Sequence, residues 1–503
     1  MASYRELGPT EQYLNKCHSH GNQNIVVALT IHTRQPLDLG VVQVGLQELQ
    51  HQNPQLTARI QTIGSRQVFA PMECPVLPLD TQFACSDFIH EQFNIETGPL
   101  WRVQIVSQTT LELARINFGP EVEAIIEDDS NLETRWRYLL RYMQGQLNRD
   151  IENFGESEDE EGRSIVFISF HPSITDVPGS LNLAKQFMDI LELKLQTSDE
   201  PLSLGGTGEF PPSLETILPS SDSVFHFTDL VPLVKAVGGH FMNLKRSACD
   251  NLLVDSASAN GNEPRSKYLR GWLTEAETRE VVGRCEEDEV TLHGLVLAAA
   301  LTAMARMCTV QGEAVRALRA CIATNIRQYC TQAPRTGLYS SVYEDSFQIP
   351  SQLSQPKLAV TSQELWCFAQ LLTTAHNTAK ANKMALRHVR MVGRTIASGS
   401  LDNTFKEMED IRKVEAEMHL NILGDIGHIF REENNEKHQV LLEDVGVMVS
   451  GQNMGYPLSH TAHIFRNRLN YMMTYYTNYL ETSTALLLRD ETINLLRLAS
   501  EQE

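Results

Sequence analysis

Residues 164 to 180, SIVFISFHPSITDVPGS, decide how this chain is read. Ser164 to Phe170 is apolar and rich in β-branched side chains, the composition of a buried strand. It runs straight into His171-Pro172-Ser173-Ile174-Thr175-Asp176 and then a Pro-Gly-Ser break. Leu183, Phe187, Ile190, Leu191 and Lys194 follow at helical spacing. A histidine and an acid between a buried strand and a helix sit where chemistry is often placed. No other stretch of the chain sets a histidine and an acid in such surroundings.

Working outward, the bulk numbers describe an ordinary globular protein. The chain has 503 residues, 42% of them hydrophobic and 21% charged. That length allows two to four domains and a large core. Its 42 basic and 63 acidic residues give a net charge of −21, which argues against nucleic acid and anionic membranes as partners. Much of that charge lies in residues 121 to 162, with its densest tract at Glu156 to Glu161 (ESEDEE), read as a solvated loop or a dock for a basic partner. Nine scattered cysteines without a CxxC pair point to a reducing, cytoplasmic compartment. The opening MASYRELGPTEQY has no apolar core of a signal peptide, and no run of eighteen apolar residues spans a membrane.

Before the central strand, residues 24 to 33 read as a strand. A helix capped by Asp38 follows and stops at Asn53-Pro54, and residues 100 to 106 form a further strand after the Gly98-Pro99 turn. Residues 107 to 163 look like an insertion, with a helix from about 131 to 147 opened by a Ser130/Glu133 capping box. The expected organisation is an N-terminal lobe over 1–195, a Pro/Gly/Ser-rich linker over 196–223 and a C-terminal lobe over 224–503.

In the second lobe, Thr274 and Glu277 form a capping box, and Thr291 opens a helix, TLHGLVLAAALTAMARM, apolar nearly all round. Ala317 to Ala323 reads as a strand. A helix spans about 361 to 390, and residues 401 to 419 read as helical. Leu420 to Phe430, with two glycines, reads as a strand with a bulge or a close backbone approach. Val440 to Ser450 is a further strand and 484 to 499 a terminal amphipathic helix. The class is α/β. Cys17, His18 and His20, and the pair His460 and His463, lack a metal-ligand pattern, so no metal is expected. Neither a Gly-rich phosphate loop nor a G-x-S-x-G elbow is present.

The order of these features resembles the chloramphenicol-acetyltransferase-like acyltransferases, a superfamily that includes condensation domains, alcohol acetyltransferases and polyketide-associated acyltransferases. Their hallmark is His-His-x-x-x-Asp-Gly at the end of a buried strand, and SFHPSITDVPGSLNLAKQFM stands in that place. Other stretches are similar in order: LGPTEQYLNKCHSHGNQNIVVALTIHT to the first helix and strand, HQNPQLTARI to the segment ending in a proline and a basic residue, and ETGPLWRVQIV to the Gly-Pro-Leu-x-Arg strand. PPSLETILP resembles the linker, TLHGLVLAAALTAM the buried helix, ATNIRQY the Asn-Leu-Arg turn and LNILGDIG the Ser-Asn-Leu-Gly strand.

The resemblance implies two similar α/β lobes, each a mixed sheet flanked by helices, with a tunnel between them. It implies no tightly bound cofactor. An acyl-CoA, or the phosphopantetheine thioester of an acyl carrier protein, would donate to an alcohol or amine. The motif's second histidine takes the acceptor's proton, and its aspartate holds the loop through an arginine, here Arg327. By the same resemblance Ser173, Asn421 and Gly424 are candidates to line the substrate path, beside His171 and Asp176 as the catalytic pair.

The pattern also departs from the motif. Aligned on Asp176, the first histidine falls on His171, the catalytic second on Pro172 and the final glycine on Val177. Proline carries no base. Three readings stay open: His171 takes over as base after a one-residue shift, another group or a low-pKa acceptor replaces it, or the protein keeps the fold as a non-catalytic binding or scaffold protein. Loss of a positioned base costs roughly 10² to 10⁴ in rate, whereas held geometry supplies its own share.

Overall fold

The computed structural model describes residues 4–72, 76–80, 91–107, 162–196, 209–220, 248–249, 252–253, 264–309, 315–408, 414–430, 438–452 and 454–501. The helix expected over 131–147, the acidic tract and much of the linker lie outside these residues. The first strands are β1 (Arg5–Glu6), β2 (Ile25–Thr33), β3 (Ala58–Ile63), β4 (Arg66–Pro71), β5 (Leu79–Asp80), β6 (Trp101–Ser107) and β7 (Arg163–Phe170). Later come β8 (Ser266–Trp272), β9 (Ala317–Asn325), β10 (Ser340–Gln348), β11 (Met418–Asp425), β12 (Val440–Val449), β13 (Leu458–Phe465) and β14 (Arg468–Tyr476). The longer helices are α1 (Pro9–Gly21), α2 (Leu39–Gln52), α3 (Val177–Gln196), α4 (Glu275–Glu287), α5 (Leu292–Cys308), α6 (Ser362–Ala381), α7 (Met384–Ala397), α8 (Leu401–Met408) and α9 (Thr482–Ser500).

The chain divides into two compact units, one holding Met1–Thr216, Ala333–Leu338 and Gly427–Ser450, the other the remainder. The first is built on a five-stranded sheet in the order β12-β2-β7-β6-β5 and a three-stranded sheet β1-β4-β3. In the larger sheet β7 is antiparallel to both β2 and β6, so its hydrogen bonds are satisfied on both sides. Ile165, Val166, Ile168 and Phe170 of β7 are out of water, which is why the sequence there is a continuous apolar run. Helices α2 and α3 pack together through Val42, Leu46, Leu49, Phe187 and Leu191, all wholly buried, each side chain contributing about 2 kcal/mol.

The second unit holds a six-stranded mixed sheet, β10-β9-β11-β13-β14-β8. Helix α5 is buried along nearly its whole length and packs on α6 and α9, as its all-round apolar sequence requires. Three expected caps close as read: Asp38 accepts from Gly40 N at 2.7 Å, Thr274 and Glu277 exchange bonds, and Thr291 accepts from Gly294 N at 3.1 Å.

Other expectations give way. The helix over 361–390 is two helices, broken where Lys383 takes a left-handed φ of 51°. The helical reading of 401–419 holds for α8, whereas residues 414–417 are not helical and Met418 opens β11, whose backbone pairs with β9 and β13. The strand over 440–450 forms as β12, but it pairs antiparallel with β2 in the first unit. Among the described residues no single helix is long and apolar enough to cross a membrane.

Candidate functional site

In the first unit the strand β7 delivers the chain into a tight turn over residues 171–174, closed by Ile174 N donating to His171 O at 3.1 Å. Pro172 holds the second position of that turn, where its fixed φ is favoured. The turn therefore suits the proline at 172, whose fixed φ matches that position. His171 itself is tied back to the sheet by its own N–H, which donates to Leu100 O at 2.9 Å.

The same turn aims Ser173 N–H at His171 Nδ1, 3.2 Å away. Nδ1 is thus an acceptor, and the single proton of the neutral imidazole stands on Nε2. His171 is 0% exposed, and Nε2 has no hydrogen-bond partner among the described residues. Its ring is walled by His18 of α1, centroid to centroid 4.4 Å, and by the edge of Phe93 at 6.0 Å. Burial, and then the neighbouring His18, push the His171 pKa well below the usual 6.5, so the ring is neutral near pH 7.

His18 is saturated. Its Nδ1–H donates to Gln23 O at 3.0 Å and its Nε2 accepts from Phe93 N at 3.2 Å. Burial holds its pKa down as well. The sequence placed His18 beside Cys17 and His20 without a role, and no spacing rule links it to His171; only the packing of α1 beside the end of β7 does.

Asp176 caps the following helix. Its Oδ1 accepts from Gly179 N at 2.7 Å, and Ser180 N donates to its carbonyl at 2.7 Å. Thr175 Oγ1 donates to Thr336 O at 3.0 Å. Gly179 leaves no room for more: a Cβ there would stand 2.3 Å from Thr175 Oγ1 and 2.8 Å from Gly337 O. Ser173, read as a residue lining the substrate path, donates its hydroxyl to Glu11 O of α1 at 3.1 Å and is 1% exposed. His171, Ser173 and Asp176 thus gather in one loop between α1 and α3.

The remaining candidates belong to the second unit. Arg327 donates from N and Nη1 to Asn325 Oδ1, at 3.1 and 3.3 Å, and its guanidinium lies over the Tyr339 ring. Asn421 is buried on β11 opposite Thr461 of β13. Gly424 follows in the same strand at a φ of 72°, next to the register shift that forms the expected bulge, with nothing within 4 Å of a Cβ. The glycine is required by its backbone angle, not by space.

His460 and His463 both lie on β13, three residues apart, so their side chains leave opposite faces of the sheet and the H-x-x-H spacing brings no pair together. His460 Nδ1 is bonded to the Tyr471 hydroxyl. Among the described residues no group of three metal-ligating side chains comes together.

No protein-family model and no curated protein matches this sequence. Solved structures do match, along nearly the whole chain. A trichothecene 15-O-acetyltransferase from Fusarium sporotrichioides superposes with a TM-score of 0.68 at 9% identity, covering 99% of this chain and 96% of that one. The polyketide synthase associated protein 5 of Mycobacterium tuberculosis gives 0.61 at 10% identity, covering 99% and 98%. The epimerization domain of the third module of tyrocidine synthetase B gives 0.61 at 12% identity, covering 99% and 96%. The fold is therefore the two-lobed α/β fold of the chloramphenicol-acetyltransferase-like proteins, which acetyltransferases, condensation domains and epimerization domains share.

Proposed function

We propose that this chain transfers an acyl group from a thioester to an alcohol or amine acceptor. The observation that carries the reading is the whole-chain correspondence of fold with an acetyltransferase, together with a histidine and an aspartate enclosed where β7 meets α3. The donor is an acyl-CoA or an acylated phosphopantetheine arm. Chemistry then rests on holding donor and acceptor together, since Pro172 removes the motif's base and His171 Nδ1 is already engaged.

That engagement also favours a second reading, a non-catalytic protein that kept the fold for binding or scaffolding. One experiment separates them. The protein is incubated with acetyl-CoA and longer acyl-CoAs together with short alcohols and amines, and thiol release is followed. Acceptor-dependent release supports transfer. Binding of acyl-CoA by calorimetry without release supports the second reading, and neither binding nor release removes both.

A further inference from the structure

We propose that His171 acts through Nε2–H as a hydrogen-bond donor to the carbonyl oxygen of a bound acyl group, and not as the proton acceptor. This rests on the acyl-transfer reading above and names the part His171 plays in it.

The turn decides the tautomer. Ser173 N–H approaches Nδ1 at 3.2 Å in the turn that Ile174 N closes on His171 O, so a proton on Nδ1 would face another N–H. The ring's proton is left on Nε2. No described atom accepts it, and the residue is fully out of water. A buried N–H without an acceptor has given up its water and gained nothing in return, a cost that an oxygen supplied by a ligand removes.

The neighbours do not supply that oxygen. His18 has spent both ring nitrogens, and Phe93 presents a ring. The titratable and charged groups around the pair are His18 of α1, Arg102 of β6, whose guanidinium lies over the Phe93 ring at 4.4 Å, and Glu91, whose carboxylate pairs with Arg102 at 3.5 Å. That carboxylate is spent on Arg102, and His18 is the titratable neighbour that bears on His171. A neutral N–H in a dry site suits a neutral acceptor, and a thioester carbonyl is one.

The chemistry balances without a base on the protein. The acceptor's oxygen or nitrogen attacks the carbonyl carbon, a C–O or C–N bond forms and the C–S bond breaks. The acceptor's proton ends on the departing sulfur as the free thiol. His171 keeps its own proton throughout and strengthens its bond as charge grows on the carbonyl oxygen, a contribution of about 10² to 10³ in rate for one such donor.

The test uses the full chain, [1-13C]acetyl-CoA, and the variants His171→Leu and His171→Gln, the second of which restores a side-chain N–H. Nitrogen-15 spectra of the wild type are expected to show the Nε2-protonated tautomer. The carbonyl stretch of bound acetyl-CoA should shift down in the wild type and in His171→Gln but not in His171→Leu. Thiol release should fall about 10²-fold in His171→Leu, recover in His171→Gln and stay level from pH 6 to 7.

An Nδ1-protonated His171 that binds acetyl-CoA overturns the inference alone. So does an acid limb near pH 6.5 that vanishes in both variants, since it marks a base. An Nε2-protonated His171 in a protein that does not bind acetyl-CoA overturns the acyl-transfer reading, and the carbonyl partner with it.

Discussion

His171 at the end of β7 and His460 within β13 are both sealed from water, both neutral, and both bonded through Nδ1, yet only at His171 does the partner dictate which nitrogen carries the proton. At His171 the partner is a backbone N–H, which can only donate, so Nδ1 must accept. At His460 the partner is the Tyr471 hydroxyl, which can donate as well as accept and so accommodates either tautomer. Nε2 has no hydrogen-bond partner among the described residues at either ring. Burial silences the charge of both; only at His171 does the neighbour fix the polarity that the ring offers, with Nε2 as a bare donor.

The largest effect that sharpens this comparison is acid sensitivity. Burial lowers the His460 pKa from 6.5 to about 3 and that of His171 well below 6.5, so the unfolded chain binds these protons first. Stability is full above pH 6.5 and is lost as pH falls from 6.5 toward about 3, by roughly 1 kcal/mol per pH unit for each such histidine. Urea unfolding at pH 7.5, 6 and 5 measures the slope, and His460→Gln should lower it by one histidine's share. A stability that does not change over that range would mean both rings are protonated or solvated in the folded protein.

A smaller effect breaks one side of the comparison. Tyr471→Phe removes the hydroxyl bonded to His460 Nδ1 and should cost about 2 kcal/mol in urea unfolding, while the nitrogen-15 signal of His171 stays put. The smallest is Ser173→Ala, which deletes the hydroxyl bond to Glu11 O but keeps the N–H that faces His171. We expect a loss of about 1 kcal/mol with no change of tautomer. A shift of the His171 signal in that variant would assign the lock to the hydroxyl instead of the backbone.

Much of the frame was legible along the chain. β7 reads as a buried strand because it is paired on both sides and carries mostly β-branched and aromatic side chains, and the caps at Asp38, Thr274 and Thr291 announce themselves because a helix start is a local event. What was not legible is long-range. Nothing in VLLEDVGVMV says that β12 returns to pair with β2, since any apolar strand satisfies any open edge. The helix break at Lys383 carries neither glycine nor proline to mark it.

The candidate loop shows the same division. His171, Ser173 and Asp176 stand close in sequence and were found there. His18 and Phe93, which wall the ring, come from distant segments. The spacing of His460 and His463 does not say which element carries them: on a helix H-x-x-H shares a face, and on the strand they occupy it puts them on opposite faces.

Glu215 deserves a mechanical reading. Its carboxylate accepts from Thr10 N at 2.8 Å and from the Thr10 hydroxyl, at the start of α1, and the first unit's chain leaves at Thr216. The clamp fixes this end of the first unit's chain to the start of α1, the helix that sets His18 against His171, and Glu215→Ala would release that anchorage.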